Sequence, residues 1–179
     1  MGYCLQCGTK TRIEVPKGDN RERAVCPNCH YIHYENPKII CGSLVVSGDK
    51  ILLCKRAIEP RYGYWTLPAG FMELDETLDQ GAARETVEEA QALVINQKLY
   101  CIYNLPYLGQ VYMLFRGELD GGYGAGDESL ECGLYREDQI PWDELAFRSI
   151  RRTIEHYYAD RKTGHFGLHV ETLSRKFED

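Results

Sequence analysis

The chain has 179 residues, a formal net charge of -6 and eight cysteines, enough for one ordinary α/β domain with a small module beside it. The acidic balance offers no basic footprint for wholesale nucleic-acid binding. No stretch approaches the roughly 20 consecutive apolar residues of a membrane span, no charged-then-apolar leader follows Met1, and Gln6 stands where myristoylation of Gly2 requires Ser or Thr, so a soluble, cytoplasmic protein without a membrane partner is expected.

From the N-terminus, Cys4-x2-Cys7 and Cys26-x2-Cys29, with eighteen residues between them, have the spacing of a four-thiolate zinc site. Turn residues in Cys-Leu-Gln-Cys-Gly and Cys-Pro-Asn-Cys-His let the two sulfurs of each pair face one metal, and the polar stretch 11–25 suits the hairpin of a zinc ribbon over residues 1–34. Disulfides and redox or iron–sulfur chemistry are the competing uses of such cysteines, and His30 and His33 read as bystanders. Lys10, Arg12, Lys17, Arg21 and Arg23 stand against Glu14, Asp19, Glu22 and Glu35. This near-neutral ribbon is a poor partner for a phosphate backbone, and its expected role is structural or dimer-forming.

Glu35-Asn36-Pro37 reads as a hinge. Two apolar runs, 39–46 and 51–56, flank Ser47-Gly48-Asp49-Lys50 as a hairpin signature. Cys41, Cys54 and Cys101 sit in apolar, strand-like runs where a thiol behaves as a small hydrophobe, and neither they nor Cys132 acquire a role. Trp65-Thr66-Leu67-Pro68 reads as a short strand, and Ala69-Gly70 as a turn that lets backbone approach a ligand closely.

A helix is expected over 77–90, with Leu78, Ala82 and Val87 among its apolar positions and Asp75 and Glu76 at the N-terminal end that favours negative charge. Glu85, Glu88 and Glu89 lie at i, i+3 and i+4, which stacks three acids on one face. Carboxylates crowded in this way repel unless a hard divalent cation neutralises them, and all-oxygen ligation suits Mg²⁺ or Mn²⁺. An exposed, merely solvated acidic face is the alternative for the bare acid triplet. Arg84 precedes Glu88 by four residues, within reach of its carboxylate.

Strands are expected over 99–104 and 110–119, then a glycine-rich mobile loop over 120–127, a short strand at Leu134-Tyr135, and a closing helix from Trp142 or Leu145 to Arg161. Phe147, Ile150, Ile154, Tyr157 and Tyr158 would form its apolar side. The residues after 160 form a C-terminal extension, 161–179, expected to pack on the body or on a partner subunit.

Taken together, Gly70-x5-Glu76-x7-Arg84-Glu85-x2-Glu88-Glu89 resembles the Nudix box, Gly-x5-Glu-x7-Arg-Glu-U-x-Glu-Glu-x-Gly-U with U apolar. Thr86 and Gln91 depart from it, at positions that are usually aliphatic and Gly. Either Gln91 adopts the strained left-handed conformation that Gly would take, or the helix runs on into Ala92. The resemblance covers residues 38–160 and implies an α+β fold, an α/β/α sandwich on a mixed sheet, that cleaves a nucleoside diphosphate linked to another group. By the same resemblance Glu85 and Glu89 are the principal Mg²⁺ ligands, with Glu88 a further or water-mediated one and the Ala69 carbonyl a backbone ligand. Arg84 orients the acids, Glu76 holds the loop, and Gly70 lets the backbone close on substrate. A loop acid, Glu128 in preference to Glu131, serves as base.

With the ribbon, the chain looks like the zinc-ribbon Nudix group of FAD and ADP-ribose pyrophosphatases, which implies a small-molecule nucleotide substrate and a homodimer. Arg56 and Arg61 are candidates for phosphate and Tyr62, Tyr64 and Trp65 for a stacked ring, with ion pairing and core packing as the alternatives. NADH or other dinucleotide pyrophosphatases, messenger-RNA decapping-type enzymes and catalytically silent nucleotide sensors are the other readings.

Overall fold

The computed structural model describes residues 2–174, which form two compact units divided between Asn36 and Pro37. The N-terminal unit is a three-stranded antiparallel sheet in the order β1 (Arg12–Glu14), β2 (Arg23–Val25), β3 (Ile32–His33). Its buried side chains are few, and two of them are the thiols Cys4 and Cys26. A unit of this size cannot draw its stability from apolar burial alone.

The larger unit is built on an eight-stranded mixed sheet. Its elements in chain order are β4 (Lys38–Ser47), β5 (Lys50–Arg56), β6 (Trp65–Thr66), β7 (Ala69–Phe71), α1 (Leu78–Ala90), β8 (Leu93–Leu105), β9 (Gln110–Asp120), β10 (Ser129–Tyr135), α2 (Arg148–Thr163) and β11 (His169–Thr172). The strands run in the order β10-β5-β4-β9-β8-β11, with β6 on β5 and β7 on β4. β4 pairs with β9, and β8 with β11, in parallel; the remaining pairs are antiparallel.

Successive strand residues face opposite sides of a sheet, and this alternation sorts the core. Leu44, Ile51 and Leu53 pack with Ile150, Ile154 and Tyr157 of α2, whereas Val45, Leu52 and Cys54 pack with Ala90 at the end of α1. The helices therefore cover opposite faces, giving an α/β/α sandwich.

β5 pairs with β4 only at Val46 and Ser47, leaving the start of β4 to β7, from Ile40 to Gly42. Gly42 permits this because a Cβ there would stand 2.3 Å from that of Ala69. The split seats Ala69 and Gly70 beside α1.

Several elements differ from expectation. β8 extends back to Leu93, and β10 spans Ser129–Tyr135, because backbone pairing with β5 carries it through a mixed sequence at the sheet edge. α2 begins at Arg148, after a 3₁₀ turn at Trp142–Glu144, and ends where Gly164 turns left-handed at φ 69°; Phe147 is thus its N-cap, and it packs against the same core cluster as Ile150, Ile154, Tyr157 and Tyr158. β11 places the C-terminal extension on the edge of the body, with Leu173 buried behind it; residues 175–179 lie outside the described residues.

Candidate active site

The box folds into a strand, a loop and a helix around one arginine. α1 starts after Thr77, whose backbone N–H donates to Gln80 Oε1 at 2.9 Å. Arg84 reaches back to the loop and forks onto Glu76, with Nε to Oε2 at 3.0 Å and Nη2 to Oε1 at 2.9 Å. It also donates to the Phe71 carbonyl at 3.1 Å, and its Nη1 bridges Glu85 at 2.7 Å and Glu88 at 3.1 Å. A planar guanidinium with five donors suits such a hub. Arg84 and the Glu73 N–H together depress the Glu76 carboxyl to about 2.

Gly70 leaves the room that the Glu85 carboxylate occupies. A Cβ on it would lie 2.3–2.4 Å from the Glu85 carboxylate, so that carboxylate rests against bare backbone. Glu89 Oε2 accepts the Ala69 N–H at 3.2 Å. Both acids are buried, at 8% and 5% exposure. Burial pushes Glu85 upward despite Arg84. It pushes Glu89 to about 8, opposed by the Ala69 N–H and Arg56 and reinforced by Glu85 and Glu128. Two acids held against water and against each other form a donor set that a hard cation would relieve. Glu88 is exposed and turned to Arg84, so the three acids share a helix face without converging on one point. Among the described residues only the ribbon thiols converge that closely.

A cleft of about 1020 Å³ opens over these residues. Ala69, Gly70, Arg84, Glu85, Glu88 and Glu89 line it, as do Arg56, Arg61 and Glu128. Arg56, 9% exposed, is aimed by a 2.8 Å bond from Nε to the Pro60 carbonyl and lies 5.2 Å from the Phe147 ring. Tyr64, Trp65 and Glu131 are absent from the lining. Trp65 is a core residue, 5% exposed and edge-on to Tyr135 at 5.1 Å, because β6 pairs with β5 and turns this ring inward. Tyr64 instead carries Arg61 over its ring at 5.1 Å, and Glu131 sits opposite Lys55 in β10. The aromatic lining comes from Phe71, Tyr107, Tyr112 and Phe147, which the sequence reading did not assign to a ligand.

The glycine-rich segment is tied to the end of α1 through residues 124–126. Gly124 and Gly126 donate N–H bonds to the Ala90 and Glu89 carbonyls at 2.8 and 3.1 Å, meeting acceptors that the helix end leaves open. Gly126 touches the helix so closely that a Cβ would fall 1.7 Å from the Glu88 carbonyl. Gln91 ends α1 in the left-handed region, at φ 46°, and its side-chain amide donates to the Ala125 carbonyl at 2.8 Å. Beyond the loop, the Ala57 N–H donates to the Glu128 carbonyl at 2.8 Å. Thr86, buried, turns its hydroxyl to the Ala82 carbonyl at 2.7 Å.

In the ribbon, the four sulfurs of Cys4, Cys7, Cys26 and Cys29 lie within 4.8 Å of one another. Cys4–Cys29 and Cys7–Cys26 separations are 3.6 and 3.4 Å, near the about 3.8 Å between sulfurs in a tetrahedral site with ~2.3 Å zinc–sulfur bonds. The Gln6 and Cys29 N–H groups donate to Cys4 and Cys26 Sγ at 3.4 Å, as a thiolate site requires. The residues fit zinc, and neither His30 nor His33 belongs to the cluster.

Comparison with known proteins agrees with this fold. The chain is 50% identical to the NUDIX hydrolase of Nitrosomonas europaea, with a TM-score of 0.93 over 97% of this chain and 99% of that one. An ADP-ribose pyrophosphatase of Streptococcus suis shares the fold, at 21% identity and a TM-score of 0.59 over 75% of this chain and 99% of that one. The NAD-capped RNA hydrolase NudC of Yersinia enterocolitica is 32% identical over 157 residues, 86% of this chain and 58% of that protein, so the chain spans little more than half the length of this relative. The model for the Nudix N-terminal zinc ribbon matches residues 2–35, and that for the NUDIX domain residues 38–156; the chain belongs to the Nudix family and carries its zinc-ribbon N-terminal module.

Proposed function

We propose that the chain hydrolyses the diphosphate of a nucleoside diphosphate joined to a second group, with ADP-ribose (to AMP and ribose 5-phosphate) and FAD (to AMP and FMN) as first substrates. The observation that carries this reading is the buried pair Glu85 and Glu89 in a cleft that also holds arginines and aromatic rings. Mg²⁺ or Mn²⁺ bound here would neutralise diphosphate charge and activate water. Glu85 and Glu89 would hold it, assisted by Glu88 and the Ala69 carbonyl, while Arg84 and Glu76 keep loop and helix in register. Arg56 and Arg61 bind phosphate oxygens, and Tyr112 and Phe147 stack on a ring of the substrate. Glu128 orients the attacking water and takes its proton.

NADH is the second reading, favoured by the 32% identity to a protein named for NAD-capped RNA hydrolysis; it has the same ADP half. The test is a panel of ADP-ribose, FAD, NADH, NAD-capped RNA, diadenosine polyphosphates and oxidised nucleoside triphosphates, with Mg²⁺ or Mn²⁺. Release of AMP from an ADP-linked member supports the proposal, and cleavage of none would overturn it.

A further inference from the structure

Outside the ribbon, a second pair of cysteines meets across the sheet. Cys54 on β5 and Cys132 on β10 are direct antiparallel partners, with their sulfurs 3.3 Å apart. Opposed residues in an antiparallel pair have Cα atoms about 4.5–5.5 Å apart, inside the roughly 4.4–6.8 Å over which a disulfide closes without backbone movement. Both thiols are free. Their access to solvent differs: Cys54 is fully buried, whereas Cys132 is partly exposed. An oxidant in solution therefore reaches Cys132 first, with Cys54 behind it to resolve the product. Cys41 and Cys101 have no such arrangement, since each is buried in a separate part of the core.

The pair also touches the active-site scaffold. Cys132 Sγ lies 3.4 Å from the backbone carbonyl of Glu89, and β10 begins at Ser129, the residue after Glu128. Drawing the two sulfurs to the about 2.05 Å of a disulfide removes Cys132 from the end of α1 and pulls on the strand that directly follows Glu128.

We propose that Cys54 and Cys132 are a reversible, hydroperoxide-sensitive dithiol whose closure slows the hydrolase. Cys132 Sγ takes the terminal oxygen of a hydroperoxide, breaking its O–O bond and releasing water or the corresponding alcohol, and becomes a sulfenic acid. Cys54 Sγ then displaces that hydroxyl as a second molecule of water and forms the S–S bond. Two electrons and two thiol protons pass from the pair to the peroxide; an external dithiol reverses the change by exchange. The bond itself is independent of the proposed activity, and only its consequence rests on that reading.

The experiment treats the zinc-loaded full chain with hydrogen peroxide, alkylates the remaining thiols and maps tryptic peptides without reduction. The expected product links peptide 51–55 to peptide 117–136 with the loss of two hydrogens, disappears with dithiothreitol, and is absent from Cys132→Ser. Turnover of the best panel substrate should fall ~10-fold or more on oxidation, as a small misplacement of catalytic groups allows, recover with dithiothreitol, and stay unchanged by peroxide in Cys132→Ser. Absence of the linked peptide, or a linked peptide with full turnover, would overturn the proposal. The peptide map needs no substrate, so a silent substrate panel counts against the hydrolase reading alone.

Discussion

At Glu89, burial has a measurable consequence. With the carboxyl raised from 4.5 to about 8, the folded chain favours the protonated acid. Its contribution to stability is complete below the unfolded value and is lost as pH rises through the folded one. Without added divalent cation, the zinc-loaded protein should therefore lose melting temperature between about pH 5 and about pH 9. Glu89→Gln should flatten that slope, and Mg²⁺ should restore stability at the alkaline end only in the native sequence; an unchanged slope in the variant would place the titration elsewhere. Gly70→Ala tests the neighbouring contact. The atoms it strikes are the far end of the Glu85 side chain, which can swing away, so the fold should survive while divalent-cation affinity falls ~10- to 100-fold, measurable by calorimetry. Of the two candidate bases, Glu128→Gln should lower kcat ~100-fold and Glu131→Gln should not, since of the two Glu128 alone lines the cleft. Equal losses would show that Glu128 has no special place.

α1 and the segment after β9 act as one mount for the acids. The left-handed residue at the helix end is where glycine is most at home, yet Gln91 offsets its strain with the bond to Ala125. Gln91→Gly relieves about 1 kcal/mol of backbone strain and removes one exposed hydrogen bond of similar size. Its melting temperature should stay within about 3 °C, and its turnover should change little while the Gly124 and Gly126 bonds to the helix remain. Gly126→Ala strikes fixed backbone at the Glu88 carbonyl instead, and turnover should fall far more; the reverse order would make the Gln91 amide the principal tether. The helix, its arginine and its loop were legible in sequence because helical period and fixed loop length turn spacing into contact. Of β10 only the end at Leu134-Tyr135 was, because Glu131, Cys132 and Gly133 break the alternation of an edge strand that is held by pairing with β5. The aromatic lining was hidden for a related reason. In a sheet covered on both faces, a Tyr or Phe reads the same whether it meets a helix or a cleft, and Trp65, beside the glycine turn, went to the core.

For the whole molecule, two units with different sources of stability share one chain. The ribbon, with thiols for a core, should bind one zinc and lose its order when Cys26→Ser removes a ligand. The sandwich, with its own apolar clusters on both faces of the sheet, should keep its cooperative melting transition in that variant; loss of both transitions together would show that the units are coupled. No helix among the described residues is long and apolar enough to cross a membrane. The central claim is that Glu85 and Glu89 would hold a divalent cation on which hydrolysis of a diphosphate depends. Its most direct measurement is AMP release from ADP-ribose, FAD and NADH by the zinc-loaded chain with Mg²⁺, beside Glu89→Gln. The account predicts Mg²⁺-dependent AMP release from at least one of them and a loss of ~100-fold or more in the variant; equal rates for the two proteins, or AMP release that ignores Mg²⁺ and Mn²⁺ altogether, would contradict it.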